Sequence, residues 1–298
     1  MACAFGVSAN AVVSARITGA SSTALARLRT HFQDELLVQT GRQLIPTPRA
    51  LQLAPEVRMV LLQIESRVMA RSSFDPATSQ RVFRIMASDY VLIVLLADAL
   101  AEISKIAPGL SFEIMPAGNH PADVIDGAEA DLLIMPEVYV SKGQPTAHLF
   151  DDGYVCVVDQ SNSRVGDSLT FEEYLQHRHV VVQFASRRRP AFEDWFLDRF
   201  GTARQIEIIA SSYTVVPYLV AGTGRIATLH ASLAHRYLNL GLRMVPPPLD
   251  IPQIREVIQW HAMNSQDDGL MWVRDRLLQA AARLFQRGTK GRPLTAMA

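Results

Sequence analysis

Residues 35–48 read ELLVQTGRQLIPTP. Two short apolar runs, Leu36-Leu37-Val38 and Leu44-Ile45, flank the polar Thr40-Gly41-Arg42-Gln43, and Gly41 permits the tight turn that two brief strands need. Thr47-Pro48 then reads as a helix start, threonine as N-cap and proline at the first helical position. Upstream, residues 22–33 (STALARLRTHFQ) place Ala24, Leu25, Leu28 and Phe32 on one helical face and Thr23, Arg27 and Thr30 on the other, with Ser21 or Ser22 able to cap. Downstream, Ala50, Leu53, Ala54, Val57, Val60, Leu61, Ile64 and Val68 recur every three or four residues. Their narrow apolar seam resembles that of a two-stranded coiled coil, and its length favours a dimerisation rod over a helix packed on its own domain.

The chain around this stretch has 298 residues, 49% hydrophobic and 19% charged, the profile of an ordinary globular protein with room for about two domains. Its two cysteines, Cys3 and Cys156, form no CxxC and no zinc-spaced cluster, which points to a reducing compartment without disulfides. No apolar run is long enough for a membrane span. The start, MACAFGVSANAVVSA, has no basic residue before Arg16 and no leucine-rich centre, so it reads as cytoplasmic rather than as a signal peptide. Net charge is zero but uneven: residues 1–71 carry +4 and the remainder −4. A basic front end on a mildly acidic body suits a nucleic-acid reader joined to another domain, although four charges alone also fit random fluctuation.

Ser72 to Gln80, with Ser, Asp and Pro together, reads as a linker. Beyond it, strands are expected at 82–87, 110–115 and 131–135, with helices at 90–106 and 123–127 between them. A second unit repeats the alternation: strands at 154–158, 179–184, 205–210 and 224–229, and helices from Thr170, at 190–200 and at 213–219. Ile254–Trp260 returns as a strand toward the first unit, and 268–287 closes the chain as a helix. There is no internal repeat or low-complexity segment. Strand–helix alternation implies parallel sheets in two α/β lobes, the second inserted in the first, with a ligand expected between them at the carboxyl ends of strands.

Catalytic motifs are missing. No GxSxG, HExxH or Walker loop occurs, and Gly222-Thr223-Gly224 lacks the third glycine of a dinucleotide site. His177-x-His179 has no third ligand beside it in sequence, so no metal is expected. Arg187-Arg188-Arg189 could grip an anion but reads more simply as a solvated loop, and Cys156 as a buried thiol. Neither a cofactor nor enzymatic activity is expected.

Residues 24–55 (ALARLRTHFQDELLVQTGRQLIPTPRALQLAP) resemble the end of the DNA-binding domain of LysR-type transcriptional regulators. Recognition helix, wing hairpin and linker helix correspond to Ser22–Phe32, Leu36–Ile45 and Thr47–Arg71. The resemblance extends over residues 20–288, through Phe83-Arg84-Ile85, Ser88-Asp89-Tyr90, Ala107-Pro108-Gly109, Leu169 to Tyr174, Glu193 to Phe196, Gln259-Trp260, Asp268-Gly269 and Trp272-Val273-Arg274, and is nearest to the nodulation-regulator branch. It implies a mixed fold: an incomplete N-terminal winged helix-turn-helix (1–47), a linker helix (48–71), a linker (72–80) and a two-lobed α/β effector domain of periplasmic-binding-protein type. That domain covers 81–290, with lobe I at 81–151 and 254–290 and lobe II at 152–253.

The family pattern fails before residue 20. Ile17-Thr18-Gly19-Ala20-Ser21 stands where Ser-Gln-Pro-Ala-Met is expected, and the leucine-rich helix and Ala-Ala helix that precede it in relatives are absent or replaced. The favoured explanation is a hypothesis: a frameshift or a misplaced start. Mass spectrometry of the native N-terminus is the check, and a native chain beginning at Met1 with this sequence overturns it.

The resemblance implies a DNA-binding activator acting with RNA polymerase as a homodimer or homotetramer on paired half-sites, away from membranes. Ser22, Thr23, Arg27, Arg42, Gln43 and Arg49 are its candidate DNA contacts. The candidate effector contacts are Ser88, Asp89, Tyr90, Met135, Pro136, Gln183, Phe184, Gly222, Thr223 and Ile226, around a small aromatic inducer: a flavonoid, an aromatic acid or a chlorinated phenol. Two alternatives stand beside it: a truncated paralogue that binds inducer but not DNA, and a solute-binding protein, against which the hairpin and linker helix argue.

Overall fold

The computed structural model describes residues 19–40, 43–67, 74–117, 121–183 and 191–288. Arg42, Phe184 and Arg187–Arg189 therefore lie outside the described residues, as does everything before Gly19. The chain divides into two units, Met1–Gln63 and Ile64–Ala298.

In the first unit α1 (Gly19–Phe32) precedes the antiparallel pair β1 (Leu37–Thr40) and β2 (Gln43–Pro46), and α2 (Pro48–Arg67) follows. The helix starts earlier than its serines suggested: Ser21 and Ser22 lie inside α1 rather than before it. Thr47 does cap α2, its Oγ1 accepting from Ala50 N at 3.1 Å and donating to Asp34 Oδ1 at 2.6 Å. That same carboxylate oxygen accepts from Leu36 N, and these two bonds hold the Asp34 carboxyl below its usual range. Leu36 is buried in a left-handed conformation (φ 59°), uncommon for leucine, fixed by its bond to Asp34 and by Thr47 N donating to its carbonyl. Arg29 completes the frame, donating to Glu35 O at 2.8 Å and Leu37 O at 3.1 Å.

The second unit has two sheets of five strands. One lobe orders its sheet β4 (Ser111–Pro116), β3 (Val82–Ala87), β5 (Leu132–Pro136), β12 (Ile254–Gln259), β6 (Thr146–Asp152). The other orders β11 (Leu242–Val245), β7 (Tyr154–Asp159), β10 (Ile226–His230), β8 (Arg178–Val182), β9 (Gln205–Ala210). The chain crosses between lobes twice, at Gly153 and again between Val245 and Ile254. The sheets are mixed, not parallel throughout: β3 runs parallel to β4 and β5, while β12 is antiparallel to both β5 and β6. In the second lobe β8 is parallel to β9 and β10, and β7 is antiparallel to β10 and β11. In each lobe the reversed strand is the one on which the chain enters after a crossing, β7 after Gly153 and β12 after the return.

Pleat alternation builds the cores. In β3, Phe83, Ile85 and Ala87 face one cluster with Leu132, Ile134 and the helix residues Leu270, Val273 and Leu277, while Met86 faces a smaller one with Ile125 and Leu133. In β7, Val155 and Val157 face one side and Cys156 and Val158 the other. The covering helices are α3 (Asp89–Val91) and α4 (Ala97–Ile106), joined by a π-helical turn at Leu92–Leu96; α5 (Pro121–Asp126); α6 (Phe171–Gln176); α7 (Ala191–Phe200); α8 (Val216–Val220); α9 (Ala231–Arg236); and α10 (Asp268–Gly288). Within the first of these, Ala97 N reaches back five residues to Leu92 O, so the expected single helix at 90–106 contains one widened turn. Thr170 and Glu173 form a reciprocal capping box at α6. The helix expected at 213–219 starts only at Val216 with Pro217 in its first turn, which leaves Tyr213 in the preceding loop.

Thr47→Ala removes the α2 cap together with the bond to Asp34, and is expected to destabilise the first unit by about 1 kcal/mol; Thr47→Ser retains both. Hydrogen exchange at the Ala50 and Leu51 amides checks this.

Candidate functional site

A cavity of about 370 Å³ opens where the two lobes meet, within the range of small-molecule sites. The first lobe contributes Ser88, Tyr90, Met135, Pro136 and the turn Glu137–Tyr139; the second contributes Tyr154, Val181, Val182, Trp195, Arg204, Tyr213, Thr228 and His230. The returning segment from Ile251 to Glu256 closes it.

Helix geometry places the first group. Ser88 follows β3 and caps α3, its Oγ accepting from Val91 N. Tyr90 is thereby turned inward, and its hydroxyl donates to Asp152 Oδ2 at 2.7 Å. Asp152, the last residue of β6, is buried and also accepts from Ser232 N at 3.3 Å. Burial raises the Asp152 carboxyl above its ordinary value against the opposing pull of these bonds, and burial with the neighbouring Asp152 charge pushes the Tyr90 hydroxyl up.

Around His230 three tyrosine rings close in: Tyr90 stacked at 4.1 Å between centroids, Tyr154 at 4.7 Å and Tyr213 at 5.1 Å. Burial lowers the imidazole to about 3, so it is neutral at pH 7. Opposite in character is Glu256 on β12, raised to about 8 by burial and then by the Asp152 charge.

On the second lobe Arg204 forms part of a buried polar network. Its Nη1 donates to Tyr174 Oη at 2.6 Å and Thr228 Oγ1 at 3.1 Å and lies 3.2 Å from His179 Nδ1. His179 Nε2 in turn meets the Tyr174 carbonyl at 2.7 Å, which sets the tautomer with Nε2 as donor and Nδ1 as acceptor. Burial, then Arg204, lowers the His179 imidazole to about 3. His179 is thus fully engaged as a structural group, and among the described residues no cluster of three His, Cys, Asp or Glu is arranged to hold a metal ion.

Of the candidate effector residues, Ser88, Tyr90, Met135 and Pro136 line the cavity. Asp89 instead joins the lobes, its Oδ2 accepting from Ser212 Oγ at 2.6 Å and Thr214 N at 2.8 Å. Gln183 donates its backbone N–H to Ala210 O at the end of β8. Gly222 (φ 70°) and Thr223 form a turn in which Gly222 N donates to Asp159, and Ile226 is buried in the second lobe's core. The second-lobe wall is built by residues that no motif singles out, chiefly Tyr154, Arg204, Tyr213 and His230. Their common signal is faint: polar or aromatic residues at the ends of apolar strands or in the loops beside them. Of the candidate DNA contacts, Arg27 on α1 and Gln43 and Arg49 beside the hairpin are exposed; Ser22 and Thr23 lie on α1.

Two α/β lobes joined by a double crossing, with a tyrosine-lined cavity between them, define a two-lobed binding-domain fold. The family model described as the LysR substrate binding domain matches residues 76–285, and the chain belongs to the LysR-type transcriptional regulators. Nodulation protein D 2 of Rhizobium tropici is 41% identical over 264 residues, 88% of this chain and 84% of the relative. Nodulation protein D 1 of Rhizobium meliloti (strain 1021) is 41% identical over 266 residues, 89% and 86% of the two chains. Among solved structures, probable transcriptional regulator PA0477 from Pseudomonas aeruginosa superimposes with a TM-score of 0.68 at 26% identity, over 87% of this chain and 86% of that one. These relatives are regulators, not enzymes. No helix among the described residues is long and apolar enough to cross a membrane.

The raised Glu256 carboxyl makes stability depend on pH. The folded state keeps a proton that the unfolded chain releases, so the wild type loses stability as pH rises from the ordinary 4.5 toward about 8. Glu256→Gln has no such linkage. Its stability relative to wild type is expected to increase across that window, by about 1.4 kcal/mol per pH unit at most, and to level off above it. Urea unfolding of both proteins at pH 5, 6.5 and 8 measures the trend.

Proposed function

We propose that the chain is a sequence-specific DNA-binding transcriptional activator of the cytoplasm whose two-lobed domain binds a small aromatic inducer. It controls either catabolic genes for aromatic or chlorinated aromatic compounds or flavonoid-responsive genes. The observation that carries this reading is the cavity between the lobes, walled by Tyr90, Tyr154, Tyr213 and Trp195 and by Met135, Val181 and Val182. Such a lining suits a flat aromatic molecule of low charge. The inducer touches both lobes and so favours one lobe arrangement over another, which is the requirement for a ligand to shift a conformational equilibrium.

The N-terminal unit is the DNA-facing part: a recognition helix, a wing and a linker helix, completing a winged helix-turn-helix with whatever segment precedes α1. Arg27 on α1 reaches base edges or phosphates, and Arg42 with Gln43 at the wing tip, and Arg49, meet the backbone. α2 exposes Leu51, Val57, Val60 and Leu61, an apolar stripe for pairing with a second copy in a homodimer or homotetramer. RNA polymerase is the downstream partner.

Calorimetric titration with phenols, aromatic acids and flavonoids tests the inducer, and a gel-shift with the 298-residue chain tests DNA binding. Inducer binding without any DNA shift favours the second reading, a DNA-binding-deficient paralogue, for which the departure of residues 1–21 from the family pattern is the specific support. In a chain that does bind, Arg42→Ala is expected to weaken binding to all sequences alike and to reduce the slope of log K against log salt by about 0.9. An unchanged affinity across the salt titration refutes a phosphate role for the wing.

A further inference from the structure

The cavity holds two buried polar side chains whose needs the fold leaves unmet. Glu256 sits where the register of β12 against β6 shifts, between Glu256 and Val257, and an irregularity of this kind re-aims the side chain beside it. It is 1% exposed and lines the cavity, and its Oε2 meets no donor among the described residues. The charge acting on it is the like charge of Asp152, so ionisation there is opposed from within the site. His230, at the end of β10 in the other lobe, is also 1% exposed and lines the same cavity, and neither ring nitrogen has a partner among the described residues. Its three tyrosine neighbours fix the plane of the ring, so its nitrogens point in set directions.

Three other polar groups of the cavity are already engaged. The Tyr90 hydroxyl is on Asp152, the Ser88 hydroxyl caps Val91, and Arg204 is on Tyr174 and Thr228. Buried polar atoms are paired in nearly all folded proteins, and unpaired ones at a cavity wall mark where a partner belongs. Here one stands on each lobe.

Resting on the reading that this cavity takes a small aromatic inducer, we propose that Glu256 and His230 are the pair that reads its polar ends. The Glu256 carboxyl donates to a carbonyl oxygen, and the His230 imidazole accepts from a hydroxyl. The ligand class is therefore an uncharged aromatic bearing both a hydroxyl and a carbonyl group. A carboxylate on the ligand would bring a second negative charge to the side where the charge of Asp152 already stands.

Calorimetric titration of the full chain with 4-hydroxyacetophenone, acetophenone, phenol and 4-hydroxybenzoate tests the pair. In the wild type, 4-hydroxyacetophenone is expected to bind about tenfold more tightly than either single-group probe and than 4-hydroxybenzoate. Glu256→Met, which conserves volume, abolishes its advantage over phenol. Glu256→Gln, which restores a donor, keeps that advantage, and His230→Phe abolishes the advantage over acetophenone. Advantages that survive in both Glu256→Met and His230→Phe overturn the pair, and equal binding of 4-hydroxybenzoate, or no binding of any probe to the wild type, overturns the ligand class. Val182→Trp, which fills the cavity, separates this inference from the reading beneath it. Binding blocked by Val182→Trp but indifferent to Glu256→Met and His230→Phe leaves the inter-lobe site standing and sinks the pair. Binding untouched by Val182→Trp sinks the site itself.

Discussion

A single carboxylate is buried where the chain passes from one lobe to the other, and the chemistry of the sensing domain depends on it. Asp152 ends β6, an edge strand of the first lobe's sheet, and two residues later Tyr154 begins the second lobe's β7. Out of water, its oxygens must be met by the protein, and they are met from both sides: Tyr90 from the first lobe and Ser232 N from the second. The bond to Tyr90 holds that ring stacked on His230, the planes 28° apart. The charge of Asp152 acts on Glu256, whose strand lies beside that of Asp152, and together with burial keeps it protonated at neutral pH. Both residues with unpartnered atoms in the cavity wall are thus conditioned by the same buried group.

The contacts that tie the lobes together differ in kind, and magnitude separates them. Leu233, on the second lobe's α9, is fully buried in the first lobe's core, and burying a leucine is worth about 1.5–3 kcal/mol. Arg236 and Asp98 also pair across the lobes at 2.7 Å, but both are about half exposed, so solvent screening leaves the pair about 0–1 kcal/mol. Asp89 stands between these cases: one oxygen takes two hydrogen bonds from Ser212 and Thr214 while Oδ1 has none among the described residues. The lobes are therefore held by apolar insertion and a half-satisfied carboxylate more than by surface charge. Salt is correspondingly expected to be a weak lever on lobe arrangement.

How far the sequence revealed this depends on which force placed each residue. Elements set by local chemistry were legible: the Thr47-Pro48 helix start, the helix from Thr170 and the alternation along Val82–Ala87 all appear where the pattern put them. β6, α9 and β11 were not, because Thr146–Asp152 carries two aspartates and a histidine, and the other two elements are only six and four residues long. The first-lobe wall of the cavity was legible because Ser88 and Tyr90 sit directly after a strand. The second-lobe wall was not. Tyr154, Arg204, Tyr213 and His230 are separated by up to 76 residues and converge only through the order of β7, β10, β8 and β9, and no local pattern encodes that order. Gly222 and Thr223 looked like ligand-binding residues but serve a turn on Asp159, a role that depends on a residue 63 positions away.

The N-terminal unit is held together differently, and that difference sorts its arginines. Leu36 is its one buried hydrophobic residue among the described side chains, so the angle between α1, the hairpin and α2 rests on directional bonds. Arg29 ties the helix to the first strand through Glu35 O and Leu37 O, and Asp34 ties the strand entry to the start of α2 through Leu36 N and Thr47. Arg29 therefore spends its donors inside the unit. Arg27, two residues away and on another face of α1, is exposed, as is Arg49 in the first turn of α2. A polyanion approaching this unit meets Arg27 and Arg49 without disturbing the frame, whereas engaging Arg29 would break the bonds that set the hairpin against the helix. The helical spacing that put Arg27 on the polar face thus separates an exposed group from one that holds the unit in shape.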